Sequence, residues 1–467
     1  MVSSKMDQIG QTQLSEIRIP SDVLEVDPEG HLRIDGHRAS DLVAQFGSPL
    51  YVTVESTLRQ NCHSILAAFN AHWPAGVEVF YAIKTNNTLA IRHILSQEQI
   101  GGECFGLNEY RATLENGVPG DRIILNGSDK SRDEIALALS HGSVINIDHE
   151  DEIAVIAGLS SAAHPARVNL RIKLHSEAFD QFDSAFFKSA DKISDALAAS
   201  KWGASLPEAL RLVQLILAEP RLKLIGLSSH VGRFSNLPEA AAVGAAELAK
   251  VAIALQAETG FWPEVLDLGG GWPRQREPES RQSAMNPHAI GDYAAAVAQA
   301  LTQALGGRPL PKLWLEPGRY LVGNAVLLLG RVGAVRKDLG RVWTHMDAST
   351  NHLMRIETSR SWYHVLPADR MHAPYEATTD IVGPTCIPSL LAGGRPMPDL
   401  KRGDVVAFLD AGMYAEVISN QFNGMPRPAN VLVAAGRADL IRRRETYADI
   451  FGTHLVPDHI DVTATKP

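Results

Sequence analysis

The chain has 467 residues, 45% of them apolar, and a net charge of −9. That length exceeds one ordinary core, so more than one domain is expected. The acidic balance excludes a surface built to hold a phosphate backbone. Partners are expected to be small molecules and further copies of the chain, with no nucleic acid and no membrane, since no window approaches the roughly 18 uninterrupted apolar residues of a span.

Met1 to Gln13 are polar and lack the apolar core of an export signal, which points to the cytoplasm. Residues 1–20 read as a flexible extension. Residues 21–48 read as N-terminal strands, with a hairpin over 24–37 that joins a later β domain and leaves the intervening region as an insertion. Cys62, Cys104 and Cys386 are too scattered for a disulfide framework or a thiolate zinc site, so free thiols and no metal are expected.

From about Pro49 to Leu321, short β-branched runs alternate with helical patterns, the signature of parallel strands joined by crossover helices. Strands are expected over 77–83, 122–126, 144–147, 168–173, 222–229, 265–268 and 312–316. Helices are expected over 208–218 and 240–259, which are rich in Ala and Leu. The spacing suits an α/β barrel whose chemistry sits at the C-terminal rim of its strands. After Val322, runs at 326–335, 342–346, 377–382, 405–410 and 429–435 lack long helices between them and read as a β domain.

Several strand ends carry chemistry-bearing residues. Tyr81-Ala82-Ile83-Lys84-Thr85-Asn86 puts a lysine where desolvation lowers an amine's pKa and favours imine formation with an aldehyde cofactor. A lysine snorkelling from a strand end gives the same letters. Leu268-Gly269-Gly270-Gly271-Trp272 lets backbone N–H groups approach a phosphate, although a tight turn reads alike. Glu316-Pro317-Gly318-Arg319 places a carboxylate and a guanidinium together at the rim; the bland reading is an ion pair closing a turn. Ser229-His230-Val231-Gly232 offers an imidazole suited to stacking on a flat group. Gly383-Pro384-Thr385-Cys386 and Asp410-Ala411-Gly412-Met413-Tyr414 bring a thiol and a phenol beside turns, either of which fits ordinary core.

In this order and spacing the motifs resemble the fold type III pyridoxal 5'-phosphate (PLP) decarboxylases, and most closely the diaminopimelate decarboxylase branch. The likeness runs from about Leu42 to Val433 and includes Phe46-Gly47-Ser48-Pro49, Asn126-Gly127, Lys201-Trp202-Gly203 and Arg427-Pro428. It implies a (β/α)8 TIM-like barrel over 49–321 that binds PLP and a C-terminal β-sandwich or β-barrel domain over 322–467, an alanine racemase-like arrangement. It implies Lys84 as the Schiff-base lysine, His230 stacked on the ring and Glu316 at the pyridine nitrogen. Gly270, Gly271, Gly318 and Tyr414 would hold the cofactor, the phosphate above all. Arg319 would meet a substrate carboxylate, and Cys386 would return a proton to the substrate from the neighbouring subunit of a homodimer with shared active sites.

The substrate side departs from that branch. Ile387 stands where a glutamate binds the distal amine, and Arg355 is kept without the tyrosine that normally follows four residues on. Ser228 and Glu103 replace a histidine and an aspartate. The expectation from these changes is an amino-acid or amino-acyl substrate, free or tethered to a carrier protein, other than meso-diaminopimelate. Decarboxylation of ornithine or lysine in D or L form, or of diaminopimelate itself, stays open. So do racemisation on the same fold and a catalytically silent regulator.

Overall fold

The computed structural model describes residues 14–182, 192–232, 235–276 and 285–460; Met1 to Gln13 lie outside them. Eight parallel strands close a barrel: β1 (Val77–Ala82), β2 (Gly101–Cys104), β3 (Ile123–Leu125), β4 (Val144–Ile147), β5 (Ala166–Arg171), β6 (Leu222–Ser228), β7 (Val265–Asp267) and β8 (Lys312–Leu315). Each pairs with the next, and β8 with β1. Seven were expected to within about two residues, the ordinary uncertainty of strand ends. The eighth, β2, reads Gly-Gly-Glu-Cys and has no β-branched residue to announce it.

Side chains alternate between the two faces of a strand, so the barrel interior is built in layers. Phe80, Ile124, Val144, Ile225, Val265 and Trp314 form a separate apolar floor, with the Phe80 and Trp314 rings 4.7 Å apart. Two residues further along β3, β4, β7 and β8 come Asn126, Asn146, Asp267 and Glu316, all buried. The floor is sealed with hydrocarbon, and the layer above it is polar.

Helices wrap the outside. Leu206–Ala218 buries Ala209, Leu212, Val213 and Ile216, one stripe at helical spacing. Pro238–Thr259 is long and apolar enough to cross a membrane by length and composition, although Glu247 and Lys250 interrupt its apolar run. It is nevertheless the crossover between β6 and β7, burying Leu248, Ala252 and Leu255, and Gly260 ends it in a left-handed conformation with φ 78°.

The β region differs from expectation at its edges. Leu50–Val54 pairs antiparallel with Val326–Asp338 and parallel with Ala429–Ala434. It therefore belongs to the β sheet and not to the barrel, which its first helix, Glu55–His72, leads into. Leu24–Val26, Leu32–Ile34 and His37–Arg38 form a three-stranded sheet of their own. That sheet shares an apolar cluster with Leu50, Leu329, Val405 and Val431, to which Leu14 and Ile17 also contribute. The extension is thus anchored before residue 20.

A buried ionic junction ties these parts together. Arg276, in the loop after β7, bonds Asp22 at 2.5 Å and Asp410 at 2.7 Å. Arg274 reaches Asp410 at 3.2 Å and Asn324 at 2.7 Å.

Candidate active site

Lys84 follows β1 in a tight turn, Ile83–Thr85. Its Nζ lies 2.7 Å from Glu103 Oε2 at the end of β2 and 4.3 Å from the centre of the Phe105 ring. Desolvation does act to lower the amine's pKa, but the carboxylates of Glu103 and Glu316 outweigh it, and the net direction is upward. The sequence expectation of a lowered pKa is therefore corrected by two neighbours whose approach depends on the barrel closing. Imine formation needs the neutral amine. On cofactor-free protein the rate of cofactor attachment should rise with alkaline pH, and Glu103→Gln should shift that profile toward lower pH. Stopped-flow absorbance measures both.

Glu103 and Glu316 are bridged by one amide: Asn126 Nδ2 donates to Glu103 Oε1 and to Glu316 Oε1, each at 2.9 Å. Asn146 donates to Asn126 Oδ1 at 2.7 Å, and Asn169 to Asn146 Oδ1 at 3.0 Å. Side chains from β2 to β5 and from the end of β8 are thus locked into one chain of hydrogen bonds, which rigidifies a buried polar layer. Burial opposes ionisation of Glu316, yet the facing His230, Lys84 and Asn126 prevail and hold its carboxyl below the ordinary range. His230 Nδ1 accepts the Gly270 N–H at 3.1 Å and lies 3.4 Å from Glu316 Oε2.

The glycines here are required by close approach. A Cβ on Gly270 would sit 2.5 Å from the Glu316 carbonyl oxygen and 2.9 Å from His230 Cε1; one on Gly318 would sit 1.9 Å from Thr85 Oγ1. Gly269 and Gly271 take φ of 67° and 99°. Gly318→Ala should push the Lys84 turn away from Glu316 and weaken cofactor affinity by about tenfold or more, read by equilibrium dialysis.

Tyr414 donates its backbone N–H to the Thr85 carbonyl at 2.8 Å, which carries the phenol to the Lys84 turn. Arg355, buried, lies 5.1 Å over the Tyr414 ring and bonds Ser361. Arg319 opens the short helix Arg319–Val322 directly after Gly318. Lys84, His230 and Glu316 line one cavity of about 430 Å3 together with Phe105, Asn126, Asn146, Arg171, Trp202, Ser228 and Ser229. Cys386 and Ile387 do not line it. Cys386 is exposed, its N–H donating to Asn423, while Ile387 borders a separate groove with Met354, Phe422 and Phe451.

Sequence reasoning passed over the roles of Phe105, Asn146, Asn169, Arg171 and Asp267. The period-2 pattern could have flagged the asparagines, since each falls on the inward face of its strand.

The donor set fits a flat heteroaromatic phosphate. A buried carboxylate can meet a protonated ring nitrogen, glycine backbone leaves room for an anion, and the Ser228 and Ser229 hydroxyls and Asn169 Oδ1 are buried without partners among the described residues. The pyridoxal binding domain of the pyridoxal-dependent decarboxylases matches residues 55–323. The chain is 30% identical to the diaminopimelate decarboxylase of Methanothermobacter thermautotrophicus, over 93% of this chain and 98% of that protein. It is also 30% identical to that of Archaeoglobus fulgidus, over 92% and 98%. The solved diaminopimelate decarboxylase of M. jannaschii superposes with a TM-score of 0.84 at 26% identity, covering 94% of this chain and all of that one. The chain therefore belongs to the pyridoxal-dependent decarboxylases, as an amino-acid decarboxylase whose cofactor is pyridoxal 5'-phosphate.

Proposed function

We propose that this enzyme removes a carboxylate from an amino diacid of the diaminopimelate class, with meso-diaminopimelate the first substrate to assay. The observation that carries the reading is the end-to-end likeness to proteins named diaminopimelate decarboxylase. It weighs against the sequence expectation that this substrate is excluded. Arg319, directly after Gly318, and Arg355, over the Tyr414 ring, are the guanidinium groups that would suit a substrate with two carboxylates.

Bound PLP supplies an electron sink for the pair left behind as CO2 departs. The chain's own groups do the rest. Lys84 would hold the cofactor through its amine, and Glu103, 2.7 Å from that amine, would keep it positioned in the cavity. Glu316 keeps a proton on the ring nitrogen by offering a fixed negative charge in a water-poor site, where such preorganisation is strongest. His230 would face the ring, and Gly270, Gly271, Gly318 and Tyr414 would hold the phosphate. Cys386 Sγ would return the proton to the α-carbon of a neighbouring subunit's substrate, which would make the working unit a homodimer.

A second reading is favoured by Ile387, an apolar side chain that cannot itself pair with a distal ammonium. It takes a diacid, or a carrier-linked acyl amino acid, without that amine. A CO2-release screen over meso-diaminopimelate, α-amino diacids that lack the distal amine, L- and D-ornithine and lysine decides between them. Turnover of meso-diaminopimelate at least matching every other compound supports the first reading; turnover about tenfold or more below an α-amino diacid without the distal amine, one order in kcat/KM, supports the second. Chiral chromatography of the products separates decarboxylation from racemisation.

A further inference from the structure

The polar layer of the barrel holds three buried carboxyl groups, Glu103, Asp267 and Glu316. Two of them are balanced. Glu103 takes Lys84 and Asn126, while Glu316 takes Asn126 and faces His230. Asp267, which ends β7, accepts the Gly269 N–H on Oδ1 at 2.9 Å. Its Oδ2 is buried with no donor among the described residues and lies against the Glu316 carboxyl.

Two ionised carboxyls in contact and away from water repel, and neither has a hydrogen to offer the other. One proton between them removes both problems. That proton belongs on Asp267, because Glu316 already has the Asn126 amide and the nearby Lys84 to stabilise its charge, whereas Asp267 has a single backbone N–H. We propose that Asp267 is held as a neutral carboxylic acid that donates its O–H to Glu316, making it the positioning residue that keeps Glu316 ionised and aimed into the cavity. The inference rests on the reading above that Glu316 meets the ring nitrogen.

The charge count agrees. Glu316, directly after β8, and Glu103, on β2, are the described titratable groups whose charges act on Asp267. With Asp267 neutral, the layer carries two negative charges; Lys84 matches one, and a protonated ring nitrogen matches the other. A third charge would have no counterpart, and burial together with the field of Glu316 pushes the Asp267 carboxyl far upward. A neutral carboxylic acid as hydrogen-bond donor is an established use of such a site.

Infrared spectroscopy of the PLP-loaded protein at pH 8 tests the proton directly. The expected result is a carboxylic-acid C=O band that shifts in heavy water and is lost in Asp267→Asn. That variant still donates an N–H to Glu316, so its cofactor spectrum and the pH profile of kcat should match the parent. Asp267→Leu, checked for folding by circular dichroism, removes the donor, and its kcat should fall about tenfold or more with KM little changed. Absence of the band, its survival in Asp267→Asn, or equal losses in the Asn and Leu variants would overturn the proposal. The role of Glu316 is read separately: a Glu316→Gln protein with unchanged cofactor spectrum and kcat removes the positioning function, whatever the band reports about the proton.

Discussion

Replacing Lys84 by alanine should give a folded protein that lacks the parent's imine absorbance and releases CO2 at least about 10³-fold more slowly, since no other described side chain offers an amine at that point. The fold should survive because Lys84 lies above the apolar floor and contributes nothing to it. Stability should still drop, by about 1–3 kcal/mol, because the buried Glu103 Oε2 loses its partner. The double variant Lys84→Ala, Glu103→Gln should regain most of that stability and none of the activity. Absorbance, a CO2 assay and urea denaturation on the same samples measure all three quantities. A Lys84→Ala protein that kept the imine band would refute the assignment.

The largest structural loss is expected at the ionic junction. Arg276→Ala strips the guanidinium from two carboxylates that are almost wholly buried, Asp22 and Asp410. Breaking a buried pair from one side typically costs about 3–5 kcal/mol, and thermal and urea midpoints should fall accordingly. Burial alone would raise the Asp410 pKa, but Arg276 and Arg274 prevail and lower it. A carboxyl lowered on folding contributes stability above its unfolded pKa and loses it as the pH falls through its folded one. The parent should therefore weaken in acid, and Arg276→Ala should show a flatter acid limb. Asp410 also opens the turn that carries Tyr414, so cofactor affinity should decline in the same variant. An Arg276→Ala protein with parental midpoints at neutral pH would show the junction to be energetically idle.

Much of this architecture was legible in the chain. The apolar runs of β1, β4, β6 and β8 are local signals, and so are the glycines that mark strand ends at the rim. What escaped depended on partners distant in sequence. Strand β2 has no propensity of its own and is held between β1 and β3 by closure of the barrel. Leu50–Val54 reads as a strand in either setting, and only its pairing with residues near 329 and 431 assigns it to the β sheet. Lys84 was found by position, but its charge state was not, because Glu103 arrives from the next strand and Glu316 from the last. The substrate side is hardest of all. Ile387 and Cys386 stand away from the Lys84 cavity of their own chain, so their neighbours in a working site are not set by this chain's fold alone.

Leu50–Val54 also bears on how the protein is made. A ribosome releases this strand early, yet both of its partners, Val326–Asp338 and Ala429–Ala434, follow roughly 270 and 375 residues later. At the usual pace of synthesis the strand therefore waits tens of seconds with its N–H and C=O edges open. The barrel segment between can complete itself in that interval, and in doing so brings Val54 and Val326 within reach of each other. Late assembly of the β sheet around an already folded barrel is the order this connectivity favours, and the waiting strand is where a chaperone would be most useful.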